Sequence, residues 1–498
     1  MESRGRSPEV EYLQKRLRRP LCNIDNHGFI YERPLHPPPA EPVTPEERLL
    51  APLYRKCYRL NAEGCIVALN LRDCRVHDLE FLSPLKSLRF LSLDNNDVTD
   101  LEPLQELPHL RSISLEKNEI KKLWPLEALP ELRSLSLGNN RISDLDSLRH
   151  LPRIRSLNLW LNPLEDLAPL ESLAELTWLD LQCTQTADLR SLQALPQLET
   201  LCLGMNNHDA MIRDLGPLQA LPRLRSLTWT SSEISTLKPL LALPHLVYLS
   251  LWGNRIENIE ALRGMTQLQA LHLGSNLISD LRPLASLPQL RSLELVKNKI
   301  CSISPLQALT QLQALDLRTN QISDLTPLRG LSQLQWLDLG LNAHLEDLSP
   351  LHELRELRSL DLGSCKLTPH QLEQLLQALP RLQTLDVSNN LISDLQPFAS
   401  LPQLQTLDVS DNQIQDLTPL RNLPQLQFLG LRKNQVTELP SLRSMAKLRT
   451  VDLRENQISK LPPQESLPAH MEMEEGPEAG WESHPGSLLW RENPLEQS

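Results

Sequence analysis

One spacing constrains this chain more than any other feature: a Leu-x-Leu pair returns almost every 22 residues. The second member of each pair, taken as a reference position, falls at Leu71, Leu93, Leu115, Leu137, Leu159, Leu181, Leu203, Trp229, Leu251, Leu273, Leu295, Leu317, Leu339, Leu362, Val387, Val409, Leu431 and Leu453. Eighteen units in register mean that one small motif is stacked many times, and each copy buries its apolar face against its neighbours. Composition agrees, since 115 of the 498 residues are Leu while aromatics make up only 4%.

Three residues after the reference position stands Asn in fourteen of the eighteen units, and Cys74, Thr184, Ser232 and Cys365 occupy the rest. Leu-x-Leu has period two, so both leucines point to one face of a short strand and their neighbours point to the other. The turn that follows places Asn where it can bond unpaired backbone groups of adjacent coils. Next comes Ile-Ser-Asp-Leu-x-Pro-Leu, with good copies starting at Ile142, Ile278, Ile322 and Ile392. Its prolines and the short repeat leave no room for a full α-helix on that side, so 3₁₀ or extended segments are expected. One unit differs: Leu372, Leu375, Leu376 and Leu379 have helical spacing, which predicts a single α-helix there.

Residues 67–463 thereby resemble the 22-residue leucine-rich repeats of bacterial internalins and of the leucine-rich-repeat regulatory subunit of type-1 protein phosphatase. The register from Asn320 to Leu328 is the internalin wording. The resemblance implies an α/β repeat solenoid: a horseshoe of about eighteen repeats, with a concave parallel β-sheet and a convex side of 3₁₀ and irregular segments. It also implies recognition of a protein partner, with regulation of a phosphatase or an exported, internalin-like adhesin or effector as the alternatives.

Outside the repeats, residues 1–43 read as a basic, Pro-rich arm, with Lys15, Arg16, Arg18 and Arg19 and a run of three prolines ending at Pro39. Thr44, Pro45 and Glu47 form a helix-start signature, so a cap helix is expected over 44–59 within a capping segment of 44–66. Residues 464–498 hold a Glu-rich loop and then Leu488-Leu489-Trp490, three before Asn493, which reads as a degenerate capping repeat.

Several classes of function fall away. The net charge of −12 argues against nucleic acid as a partner. Mean hydropathy is −0.31, and no apolar run approaches the ~18 residues a membrane span needs. Eight cysteines without paired spacing read as reduced thiols, and the first residues lack an apolar secretory core, so a cytoplasmic monomer is expected. No phosphate-cradling glycine motif and no Cys-x-x-Cys or His-Glu-x-x-His pair is present, so no cofactor or metal is expected. His208 beside Asp209, and the thiols Cys183 and Cys202, lack the further groups a catalytic site needs. The chain reads as a non-enzymatic scaffold.

The binding surface is expected on the sheet face opposite the core. Residues three before, one before and one after each reference position should line it. They include Phe90, Trp160, Trp178, Tyr248, Trp252, Trp336 and Phe428, residue types that dominate binding hot spots. Asp338, Asp361, Asp386 and Asp408 form a strip without a cation in the neighbouring row, which suits a basic protein partner. Trp229 replaces a core Leu and reads as structural.

Overall fold

The structure, a computed structural model, describes residues 8–17, 22–23, 57–164, 166–205, 212, 215–474 and 487–489. These fall into two compact units, Met1–Asn254 and Arg255–Ser498.

The first unit opens with helix α1 (Pro8–Leu17), which buries Val10 and Leu13. The Glu9 carboxylate accepts the Ile66 amide at 2.5 Å and so ties α1 to the start of the sheet. Strand β1 (Cys22–Asn23) pairs in parallel with β2 (Cys57–Leu60), which runs antiparallel to β3 (Ile66–Asn70). Here the sequence reading needs correction. Residues 57–59, expected at the end of a cap helix, are strand, and a helix within the expected arm covers the first core layer instead. The turn explains the strand: Asn61 Oδ1 accepts the amides of Glu63 and Cys65 at 3.1 and 2.8 Å, and Gly64 takes φ +83°. The rest of the expected cap helix, residues 44–56, and the prolines before it lie outside the described residues.

From β3 the sheet continues in parallel through Phe90–Ser92, Ser112–Ser114, Ser134–Ser136, Ser156–Asn158, Trp178–Asp180, Thr200–Gly204, Ser226–Thr230 and Tyr248–Ser250, each strand pairing with the next. The second unit repeats the plan from Ala270–His272 to Thr450–Asp452. Beyond its last repeat, Ser487–Leu489 pairs with Thr450–Asp452, Leu488 lying opposite Val451, and Glu472–Glu474 adds outside that strand. Trp490 and Asn493 lie outside the described residues.

The leucine-rich-repeat solenoid follows from what each residue type does locally. The leucines of each strand are essentially inaccessible, as are the Ile and Leu of the return segment. Most return segments turn through 3₁₀ residues such as Glu102–Glu106, many of them with Pro at the start. An Asp two residues earlier caps it: Asp324 Oδ1 accepts the Thr326 amide at 2.8 Å. The expected α-helix is present as α2 (Pro369–Ala378), with Gln371 Oε1 accepting the Thr368 amide at 2.9 Å.

The joints between repeats are made by the Asn row. Asn320 Nδ2 donates to its own repeat at Leu317 O (3.0 Å) and to the preceding repeat at Leu295 O (2.9 Å), while its Oδ1 accepts the Ile300 amide at 3.1 Å. The residue before each Asn takes a left-handed conformation, as Thr319 does at φ 56°. Where Cys74, Ser232 or Cys365 replaces Asn, the following residue (Arg75, Glu233 or Lys366) is left-handed too, and the chain makes a second sharp bend.

Asn320→Ala would leave these buried groups without partners, at ~1–3 kcal/mol each. We expect it to destabilise the second unit by about 3 kcal/mol, whereas Asp324→Ala, which removes an exposed cap, should cost only ~1 kcal/mol. Urea unfolding of both variants measures the difference, and equal losses would contradict the role given to the Asn row.

Candidate recognition surface

Because the strands are in register, equivalent positions form straight rows across each sheet. Three rows face away from the leucine core: residues three before, one before and one after the reference position. A fourth, two after it, is the left-handed residue at the rim.

The expected aromatics all stand in these rows. In the first unit, Phe90 lies between Ala68 and Ser112, and Trp178 lies between Ser156 and Thr200. Tyr248 lies opposite Ser226. In the second unit, Trp336 lies between Ala314 and Ser359, and Phe428 between Thr406 and Thr450. These five side chains are half-buried against their neighbours. Trp160 is half-buried as well, because its indole lies flat over Gly138, where any Cβ would collide with the ring. Trp252 stands clear, 43% exposed.

On the outward rows and rim of the first unit, two other large apolar side chains share its exposure: Leu161 (42%) and Met205 (53%). Both are rim residues, at φ 53° and 55°. Sequence reasoning missed them because it considered aromatics alone. The signal was present, since most repeats carry a polar residue or Gly at this place, such as Asn95, Asn139 and Gly253. Leu341 is the counterpart in the second unit, and Trp124 is exposed on the 3₁₀ side.

The aspartate strip differs from its sequence expectation. Asp316, Asp338, Asp361, Asp386 and Asp408 are directly opposite one another on consecutive strands. Far from forming an exposed anionic ribbon, Asp338 and Asp408 are only 2% and 5% accessible, while Asp361 and Asp386 are half-buried. The close packing follows from the next row. A Cβ on Gly430 would lie 2.5 Å from Asp408 Oδ1, so Gly there lets the carboxylate settle onto the backbone. Each carboxylate also bonds locally: Asp338 Oδ1 accepts the Gly340 amide at 2.9 Å, and Asp361 Oδ1 accepts that of Gly363 at 2.8 Å.

Charge in the row is compensated only at intervals. Arg318 approaches Asp316 at 4.0 Å and Asp338 at 3.8 Å, and Arg454 grips Asp452 through Nη2 at 2.6 Å. Burial, and then the neighbouring carboxylates, push Asp338 up to about 8 and Asp361 and Asp408 up to about 6. Glu294, one strand earlier, rises to about 7 for the same reasons, while burial lowers His272 beside it to about 4. Asp338 and Glu294 therefore hold protons near neutrality, so this part of the face presents less negative charge than its sequence suggests.

In the first unit the rows carry a hydroxyl and carboxylate network instead. Asp94 accepts Ser114 Oγ at 2.6 Å, and Glu116 accepts Ser136 Oγ at 2.6 Å and Asn158 Nδ2 at 2.9 Å. Cys183 is half-buried, and desolvation raises its thiol, which is the wrong direction for a nucleophile. His208 and Asp209 lie outside the described residues. Among the described residues no group of His, Cys, Asp and Glu could hold a metal ion, and no helix is long and apolar enough to cross a membrane.

Comparison with known proteins places the architecture. The family description "Leucine Rich repeats (2 copies)" matches residues 86–131, 130–172, 288–330, 380–422 and 424–468, and "Leucine rich repeat" matches residues 244–300. The chain belongs to the leucine-rich repeat family. It resembles bacterial internalins: with an internalin, InlF, of Listeria monocytogenes it shares 30% identity over 70% of this chain and 88% of that one, at TM-score 0.44. A TLR13–ssRNA13 complex (21% identity, 81% and 68% covered, TM-score 0.54) and a TDR receptor (19%, 86% and 85%, 0.51) share the fold. No curated protein matches the chain significantly.

The leucine-rich repeat rows give a pH prediction. The folded state binds protons that the unfolded state, with Asp near 3.8, has already released, so stability contributed by the row is full below about pH 4 and is lost as pH rises towards 8. Asp338→Asn keeps the bond from the Gly340 amide and removes the charge. It should raise the melting temperature at pH 8, by at least ~1 kcal/mol of stability, with little gain at pH 4. Thermal unfolding across this range checks it, and a gain independent of pH would contradict the assignment.

Proposed function

We propose that this protein is a non-enzymatic scaffold that holds a protein partner on the open face of its leucine-rich repeat sheets. The family is one of binding scaffolds, which supports the coarse reading. The finer one, that the first unit's sheet face makes the contact, is carried by the exposure of Trp252, where the other aromatics of the outward rows are half-buried. An indole left 43% open on a sheet face with Tyr248 in the same repeat is the arrangement of a binding anchor.

The mechanism is that of a preformed surface. Strands bonded on both sides, with Asn joints fixing their spacing, lose little conformational entropy when a partner docks. Backbone groups are consumed in the ladder, so recognition falls to the side-chain rows, where each repeat contributes three or four positions. The cysteines Cys65, Cys183, Cys301 and Cys365 are free thiols, which supports placing the protein in a reducing compartment, the cytoplasm.

Affinity capture from the source cells, comparing wild type with Trp252→Ala and with Tyr248→Ala, tests the reading. A hot-spot truncation costs ~2 kcal/mol or more, so Trp252→Ala should weaken retention of the captured protein roughly thirtyfold with an unchanged circular dichroism spectrum. Equal retention by wild type and both variants would remove the first unit's sheet face from the interaction.

A further inference from the structure

The face of repeats 5–9 in the first unit differs from the rest of the molecule in what it lacks. Its three outward rows and its rim comprise Ser156, Asn158, Trp160 and Leu161, then Trp178 to Cys183, and so on to Trp252 and Gly253. Of these twenty positions only Asp180 is charged, in a chain that is 22% charged. Its carboxylate is engaged locally, accepting the Gln182 amide at 2.8 Å. The same rows hold Asp94, Glu116 and Lys117 in earlier repeats and the buried carboxylates in the second unit. The change is abrupt, and three of the exposed apolar side chains of the outward rows and rim, Leu161, Met205 and Trp252, lie within it, with Leu341 the one such residue of the second unit among the described residues.

Those side chains sit where they are doubly unfavourable. A left-handed backbone costs a residue with a Cβ roughly 1–2 kcal/mol, and Asn, Asp or Gly reduces that cost. Leu161 and Met205 accept it, and both also leave apolar surface in water. Neither choice improves the isolated unit, so the gain must come from something that covers them.

We infer, resting on the open-face reading above, that this face takes an uncharged, apolar segment of a partner protein, laid along the stacking direction over Leu161, Met205 and Trp252. Charge decides the class. An ionic segment would surrender its hydration to rows whose one charge is the locally bonded Asp180, whereas an apolar one gains by covering Leu161, Met205 and Trp252. The half-buried Ser226 and Thr228 in the same rows still offer hydroxyls to the backbone groups of an extended segment. Repeats 5 to 9 span four strand intervals of ~4.8 Å, about the reach of six extended residues at ~3.3 Å each.

The test uses the full chain and a random twelve-residue peptide library displayed on phage. Selected peptides are synthesised and their affinity measured by fluorescence polarisation at 0.1 and 1 M NaCl, against wild type, Trp252→Ala and the double variant Leu161→Asn, Met205→Asn. Asn suits the left-handed turn, so the double variant should melt no lower than wild type, which separates lost binding from lost folding. The expected result is a set of uncharged peptides rich in apolar residues, with affinity changing less than twofold between the two salt concentrations and falling at least tenfold in the double variant. Uncharged peptides that bind the double variant as tightly as wild type overturn the inference, as does a library that yields no binder. Charged peptides whose binding is lost in Trp252→Ala would overturn it while leaving the open-face reading intact. Charged peptides indifferent to Trp252→Ala would defeat both. Self-association in sedimentation, abolished by the double variant, would instead assign the face to a second copy of this chain.

Discussion

The hydrogen bonds of the Asn row are the interaction on which the rest depends. A strand only three residues long has too few ladder bonds to fix its place, and the leucines beneath it are interchangeable in shape. What sets each coil at a defined height and register is a buried amide with donors and acceptors satisfied in two repeats at once, as Asn118 Nδ2 does by donating to Leu93 O of the preceding repeat at 3.0 Å and to Leu115 O of its own at 3.1 Å. The apolar core supplies the bulk of the free energy and the Asn row supplies the geometry.

From that register the surface chemistry follows. Rows are straight because every repeat is clamped to the last, so a preference at one position of the repeat becomes a stripe across the sheet. When the stripe is Asp, burial and mutual repulsion make the carboxyl groups of Asp338, Asp361 and Asp408 harder to ionise. When it is Ser, as at Ser112, Ser134 and Ser156, it is a narrow polar strip buried between larger neighbours. When the charge drops out, as in repeats 5–9, a face fitted to apolar contact results. One scaffold thus presents chemically distinct surfaces in its two units without any change of backbone.

Much of this was legible in the sequence, and the exceptions have a common cause. The strands, the 3₁₀ turns and α2 were readable because each rests on a local pattern repeated many times. The outward rows were readable for the same reason, down to the residues that occupy them. What period and spacing do not carry is accessibility. They put Asp408 and Trp160 on the open face but did not reveal that Gly430 and Gly138 let these neighbouring side chains sink onto the backbone. Leu161 and Met205 were overlooked because only aromatics were weighed as apolar anchors, although the polar residues of most repeats at this place marked them. The start of the chain was misread for a different reason. A strong helix-start signature at Thr44 was extended to residues 57–59, although Asn61 and Gly64 specify a hairpin that needs 57–60 as a strand.

The Asn bonds also have a direction. Each side chain fastens its own turn to the repeat before it, as Asn412 does at Val387 O and Asn434 at Val409 O. A 22-residue block therefore carries its own fastener and the carbonyl on which the next one closes. Duplicating or deleting one whole block leaves every remaining joint complete, whereas an insertion of any other length must be absorbed by a loop or by a unit such as the one that contains α2. Such a gene can lengthen by copying, and each new copy is then free to diverge on its outward rows alone, so binding surface can be gained without the architecture being invented again.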